Sequence, residues 1–283
     1  MQQRDAFISV VLDEARRDSN VMFLSADMGA PTLDQFKEEC PAQFVHCGIS
    51  EQNMVNVAVG LSLSGKKVYI YAMSPFFLRC FEQLKLAALH QVPITVVSIG
   101  AGLSYAGSGP THYATEDVAC FRTLVNTEVY TVSTSNLAQS IAKRSLESEK
   151  MMIVRLERGD LPEIYPENYD CKDGYQMNFA SDSPFNDGPY VASGYLVHYL
   201  RDRGHKVFDV YRAKPISPLL IMELSIYDKV YTVEEQYGAG GLGTAVLEGL
   251  NDYGKRTRVF RRFLQERPIY ENGNRNELLE SAL

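Results

Sequence analysis

Glu51 stands inside the stretch VHCGISEQNMVNVAVGLSLSG, residues 45–65. An apolar run ends at Cys47, a Gly-Ile-Ser turn follows, and the glutamate then opens a segment rich in Met54, Val55, Val57, Ala58, Val59, Gly60 and Leu61. Read as a helix, that segment is buried nearly all round, and a carboxylate at its mouth needs a specific partner. A bland account has Ser50 capping the helix and Glu51 at the positive end of its dipole, worth about 0.3–1 kcal/mol. That explains the position of the acid and leaves its burial unexplained. A ligand nitrogen that carries a proton explains both.

Two further stretches could do chemistry beside it. In GLSYAGSGPTHYATED (102–117), three glycines and a proline permit tight turns, and His112 follows Gly-Pro-Thr just before a helix. A loop of this length between packed elements is a functional signal, and its histidine could move a proton or hold a substrate oxygen. In MSPFFLRCFEQ (73–83), Phe77 and Phe81 read as core, whereas Phe76 falls at a strand-to-helix turn, where its face could meet a planar ring. GAGGLG (238–243) also satisfies G-x-G-x-x-G after a strand and before a helix. Too little chain follows it for a dinucleotide-binding half, and VFRRF stands where the ribose-binding acid would be. A close helix–strand packing turn accounts for these glycines more economically.

The elements that must position these residues alternate. Strand-like runs at 20–28, 43–49, 66–73, 92–102, 129–133 and 151–157 are separated by helix-like segments such as 77–91 and 136–149. Short apolar runs between helices indicate a parallel sheet covered on both faces, with chemistry gathered at the C-terminal strand ends. Asp27, Glu51, the 74–79 turn and the 100–112 loop all fall at such ends. Residues 163–188, rich in Pro, Asn, Asp and Gly, break the pattern and read as a connection. A second α/β unit follows, with strands at 190–193, 206–212, 229–235 and 257–263 and helices at 195–204 and 242–250. The expected organisation is therefore a first domain at 1–162, a linker at 163–188 and a smaller domain at 189–283.

Bulk properties narrow the partners. The 283-residue chain carries a formal net charge of −7 without a basic block, which argues against a nucleic-acid or membrane surface. Its N-terminus reads as an amphipathic helix and lacks the features of a signal peptide. The five cysteines are scattered, with no C-x-x-C pair, as expected of reduced thiols in the cytoplasm. The five histidines are equally dispersed, and no metal constellation is visible.

Together these motifs resemble the transketolase family of thiamine-diphosphate enzymes. HCGISEQNMVNVAVGLSLSG is similar to the turn and helix that supply the family's cofactor-activating glutamate. GSGPTHYATED resembles its D-G-P-T-H-x-x-x-E-D loop, and VEEQYGAGGLGTAVLEGL its C-terminal-domain turn. The resemblance implies a pyrimidine-binding domain followed by a transketolase C-terminal domain. It covers neither the diphosphate-binding domain nor that domain's G-D-G…N metal motif. It therefore implies a partner subunit supplying the diphosphate site and the Mg2+ ligands, in an α2β2 assembly. It implies that Glu51 hydrogen-bonds N1′ of the aminopyrimidine, so that the cofactor can become the nucleophile that attacks a ketose carbonyl. It also implies that Phe76 stacks on the pyrimidine, that Asp27 lies at the cofactor pocket, and that His112 contacts the reacting oxygens. Arg4 and Arg158 would hold a substrate phosphate or nearby oxygens. Arg79, which the resemblance also places among the cofactor-binding residues, falls where the related deoxyxylulose-phosphate synthases have an arginine and transketolases an aromatic.

Several positions depart from the family pattern. Ser108 replaces an aspartate that contacts a sugar hydroxyl, and Gly100 stands where a phosphate-binding histidine is common. Met73 replaces a pyrimidine-side aromatic, and Tyr113 replaces the usual glutamine after His112. The resemblance thus points to two-carbon ketol transfer in a specialised sugar pathway. A 2-oxo acid dehydrogenase β-like or deoxyxylulose-phosphate-synthase-like subunit, and a non-catalytic partner, remain as alternatives.

Overall fold

A computed structural model describes residues 1–178 and 188–283; residues 179–187, within the expected connection, lie outside the described residues. Along the chain run α1 (Gln3–Ala15), β1 (Val21–Ala26), α2 (Pro31–Glu39), β2 (Phe44–Gly48), α3 (Glu51–Leu63) and β3 (Lys67–Met73). Next come α4 (Ser74–Leu78), α5 (Phe81–Leu89), β4 (Thr95–Ile99), α6 (Asp117–Arg122), β5 (Thr127–Thr131), α7 (Ser135–Glu147) and β6 (Met151–Leu156). The second unit holds β7 (Gln176–Asn178), β8 (Tyr190–Ala192), α8 (Tyr195–Arg201) and β9 (Val207–Asp209). It continues with β10 (Arg212–Lys214), α9 (Pro218–Leu224), β11 (Lys229–Tyr237), α10 (Leu242–Asp252), β12 (Arg258–Leu264) and α11 (Arg275–Ala282).

The first sheet has the order β10-β5-β6-β4-β3-β1-β2, parallel except for β10. Its central strands are buried along their whole length, because helices cover both faces. Successive residues feed opposite cores: Phe23, Tyr69 and Tyr71 meet α1, α2 and α7, while Leu24, Val68 and Ile70 meet α3 and α5. The second sheet, β12-β11-β8-β9-β7, is likewise sandwiched. Leu196, Val197 and Leu278 cover one side of it, and Leu220, Ile221 and Val246 the other. Among the described residues no helix is long and apolar enough to cross a membrane.

Three sequence expectations are revised. The run at 206–212 is not one strand. Its first part, β9, belongs to the second sheet, and its last residue begins β10, which pairs antiparallel with β5 of the first. Both pieces are buried, so apolarity alone does not show that the chain changes sheets between them. The helix at 77–91 is broken at Arg79 and Cys80, where the Arg79 carbonyl accepts from Gln52 Nε2 at 3.1 Å. Finally, α3 is not buried all round: Met54, Val55 and Ala58 face the core, but Gln52, Asn53, Asn56, Val57 and Gly60 are exposed. Within 163–178, Tyr165 and Cys171 are buried, and β7 pairs antiparallel with β9.

The GAGGLG turn is packed tight. A Cβ on Gly240 would lie 2.8 Å from the Ala119 side chain, and one on Gly243 would lie 2.6 Å from Thr232 Oγ1. The Gly243 N–H, at the start of α10, donates to Glu234 Oε1 at 3.1 Å. The chain's own carboxylate thus occupies the helix terminus that a phosphate would use.

Candidate active site

The order β6-β4-β3-β1-β2 places Arg158, Gly100, Met73, Asp27 and Gly48 at neighbouring C-terminal strand ends. At the β2 end, Gly48 adopts φ +65°, which lets the chain turn sharply into α3. Ser50 does not cap that helix: its hydroxyl donates to the Cys47 carbonyl at 2.6 Å, bracing the turn. Glu51 is the first helical residue and only 4 % exposed. Its partner is Arg79, whose Nη1 donates to Glu51 Oε2 at 3.1 Å. At the helix break the Arg79 carbonyl is free of the helix ladder and accepts from Gln52, the residue after Glu51.

The same guanidinium lies over the Phe76 ring, 5.7 Å from its centroid. His112 meets that ring edge-on at 5.6 Å and 68°, and its Nδ1 is 3.0 Å from Thr111 Oγ1. Glu51, Arg79, Phe76 and His112 therefore form one linked constellation, drawn from α3, from α4 with the break that follows it, and from the glycine loop. A buried carboxylate acceptor next to an aromatic face is the donor–acceptor set that a planar ring with a protonatable nitrogen requires. In this chain the planar, cationic guanidinium makes both kinds of contact. The residues present thus fit the aminopyrimidine of thiamine diphosphate. Among the described residues, no group of three or more His, Cys, Asp or Glu is placed to hold a metal ion.

The remaining candidates are distributed differently. Arg158 is exposed at the β6 end, and its guanidinium lies over the Tyr105 ring, 4.8 Å from its centroid. Arg4 is half-buried and already bound to Asp5 through Nε at 3.2 Å and Nη2 at 2.9 Å, and Asp5 also accepts from Thr32. It is therefore a largely neutralised arm, not an open cation. Asp27 is exposed beyond β1, and Ser108 is exposed in the glycine loop, its N–H donating to the Tyr105 carbonyl at 2.8 Å. Neither side chain is drawn into the Glu51 cluster by a hydrogen bond or ion pair.

A buried ionic scaffold behind the glycine loop escapes sequence reasoning. Arg275 at the start of α11 donates to Glu157 at 2.8 Å, to Glu235 at 2.7 Å, and to the Ala101 carbonyl. Glu235 accepts from the Leu103 N–H at 3.3 Å, and Ser104 donates to both the Ala101 carbonyl and Glu157. Arg275 holds the Glu157 carboxyl below its ordinary range, against the opposing effect of burial. The C-terminal helix thus clamps the root of the loop that carries His112. Carboxylates inside strand-like runs, as in RLERGD and VEEQY, were the available signal.

Comparison with known proteins agrees with this geometry. The family model for the transketolase pyrimidine-binding domain matches residues 1–163. One of the subunits of apulose-4-phosphate transketolase from Phocaeicola vulgatus is 30% identical over 265 residues, covering 88% of this chain and 83% of that protein. Human transketolase is 27% identical over 256 residues; the match takes in 86% of this chain but only 41% of the human one. Among solved structures, a split-gene transketolase described as an inactive β4 tetramer superposes with a TM-score of 0.84 at 25% identity, covering 100% of this chain and 93% of that one. A transketolase from Pichia stipitis shares the fold at a TM-score of 0.77 and 18% identity, with 99% of this chain matched to 43% of that one. The chain belongs to the transketolase family and corresponds to the C-terminal half of a split transketolase, a pyrimidine-binding domain followed by the C-terminal domain.

Proposed function

We propose that this chain works as the pyrimidine-side subunit of a heteromeric, thiamine-diphosphate-dependent transketolase. It would transfer a two-carbon ketol unit from a ketose, or its phosphate, to an aldehyde acceptor in a specialised sugar pathway. The observation that carries the reading is the buried Glu51 carboxylate joined to the Phe76 ring through one guanidinium, that of Arg79. When bound, thiamine diphosphate supplies the carbon nucleophile. Glu51 would accept the hydrogen bond from the pyrimidine N1′ and keep a proton there, while Phe76 would hold the ring by stacking. Arg79, on Glu51 Oε2, would neutralise the carboxylate while no ring is bound. His112 reaches the reacting oxygens from the glycine loop, and Arg158 meets the anionic end of the substrate. Asp27, Ser108 and Arg4 border the same strand ends.

A second subunit, diphosphate-binding and carrying the Mg2+ ligands, would complete the site in an α2β2 assembly. The test is turnover of hydroxypyruvate with thiamine diphosphate and Mg2+, by the chain alone and with a candidate subunit bearing G-D-G…N. Activity confined to the complex and lost in Glu51→Gln, with assembly intact, supports the reading. Unchanged turnover in that variant refutes the role of Glu51. Release of carbon dioxide from a 2-oxo acid, without ketose cleavage, moves the chain to the dehydrogenase-like alternative.

A further inference from the structure

At the β6 end of the site, Tyr105 ties together two residues that lie far apart along the chain, Gly100 and Arg158. Gly100 has φ +93°, and a Cβ placed there would lie 2.7 Å from Tyr105 Cδ2 and 2.8 Å from Cε2. The tyrosine ring therefore lies against the glycine and fills the space that a side chain at position 100 would need. The ring also carries Arg158, whose guanidinium carbon lies over it, 4.8 Å from its centroid. Arg158 has no carboxylate partner among the described residues, in contrast with Arg4, which is held by Asp5. Stacking engages the face of a guanidinium and leaves its in-plane N–H donors free for an anion. An unsupported arginine at the same place would lose more rotamer freedom on binding.

Two more side chains lie near the ring and Arg158. Arg158 and Arg4 both act electrostatically on the Tyr105 hydroxyl, although burial raises its pKa overall. Gln3 accepts the N–H of Glu157, one residue before Arg158, and its buried Nε2 has no hydrogen-bond partner.

We propose that Tyr105 is a positioning residue that sets substrate preference: its ring, seated on Gly100, holds the Arg158 guanidinium edge-outward so that the site favours substrates with a negatively charged terminus. This rests on the transketolase reading above for its use in turnover, but the binding of the anion itself does not require catalysis.

The first experiment uses the full chain and inorganic phosphate, with the thermal midpoint followed as phosphate is titrated. Wild type and Tyr105→Phe, which keeps the stacking surface, are expected to share one phosphate affinity. Tyr105→Leu is expected to bind about threefold to tenfold more weakly, the range for loss of an exposed to partly buried cation–aromatic contact, and Arg158→Met to lose the effect. The second experiment uses the assembled holoenzyme with D-xylulose 5-phosphate and with uncharged L-erythrulose. Tyr105→Leu is expected to raise KM for the phosphorylated donor by a similar factor. The kcat, and both constants for erythrulose, should stay within about twofold of wild type.

Phosphate affinity that is absent in wild type, or unchanged in Tyr105→Leu, overturns the proposal. So does an equal rise of KM for both donors, which marks a merely structural role for the ring. Phosphate binding that tracks Tyr105, in a holoenzyme that cleaves neither donor, upholds the anion arm and overturns the transketolase reading instead.

Discussion

Replacing Arg79 with methionine should have opposite effects on the free chain and on cofactor binding. The pair it breaks is lopsided: the Glu51 side chain is 5% exposed and the Arg79 side chain 54%, joined by one contact of 3.1 Å. Exposed ion pairs contribute about 0.2–1 kcal/mol, whereas stripping the partner from a fully buried charge costs about 3–5 kcal/mol. A pair with one partner in each environment falls between these ranges, at about 1–2 kcal/mol. For a chain of this size that lowers Tm by roughly 2–6 °C, read by calorimetry on the isolated chain. On the proposed reading the same arginine, which holds Glu51 Oε2, competes with a pyrimidine nitrogen for the carboxylate. In Arg79→Met that competition is absent, so thiamine diphosphate is expected to bind the assembled complex about 5- to 30-fold more tightly. Isothermal titration with Mg2+ present measures this directly. Weaker cofactor binding in Arg79→Met would refute the displacement argument and show that the arginine itself holds the cofactor.

Other perturbations probe the scaffold. Asp209 is fully buried between the two sheets, accepts from Ser133 and Tyr165, and has its carboxyl pKa pushed up by burial to about 7. The native chain therefore holds this proton more tightly than the unfolded one, and stability should fall as pH climbs from about 4 through 7. Asp209→Asn should remove that fall, gaining on the order of 2–4 kcal/mol over wild type at pH 8 relative to pH 4, by urea unfolding. Arg275→Met leaves two buried carboxylates without their cation and should cost about 3–5 kcal/mol in the same assay, with Arg275→Lys recovering part. Gly243→Ala drives a methyl group to 2.6 Å from Thr232 Oγ1 and 2.8 Å from Glu234 Oε1, and should destabilise the second unit by about 1–3 kcal/mol. A Gly243→Ala protein with unchanged stability would show that this packed turn relaxes freely.

What was legible in the sequence was local. Short apolar runs between helices gave the covered parallel sheet, and that topology placed Asp27, Glu51, Phe76 and the 100–112 loop at its C-terminal edge. The burial of Glu51 was legible too, because Gly48, Ser50 and the apolar residues after it describe a helix mouth against the core. The strand change between β9 and β10 was not, because KVFDVYR is apolar enough for either sheet and nothing in its pattern marks Val210 and Tyr211 as the crossing.

The ionic connections were hidden for a different reason. A charged residue in a sequence carries no mark of its partner, and the partners here are distant: Arg79 lies 28 positions from Glu51, and Arg275 lies 118 from Glu157. Each pair needs a prior structural event. Arg79 meets Glu51 from the break in the helix after β3, and Arg275 meets Glu157 from α11, the last helix of the second unit. The Arg275 contacts form only once the two units have assembled, so they are the part of the site that depends on the whole fold. It follows that the root of the His112 loop is secured by the C-terminal helix more than by the loop's own sequence. Replacing the Gly-Pro-Thr-His segment with that of a relative would therefore transplant the histidine and leave its support unchanged.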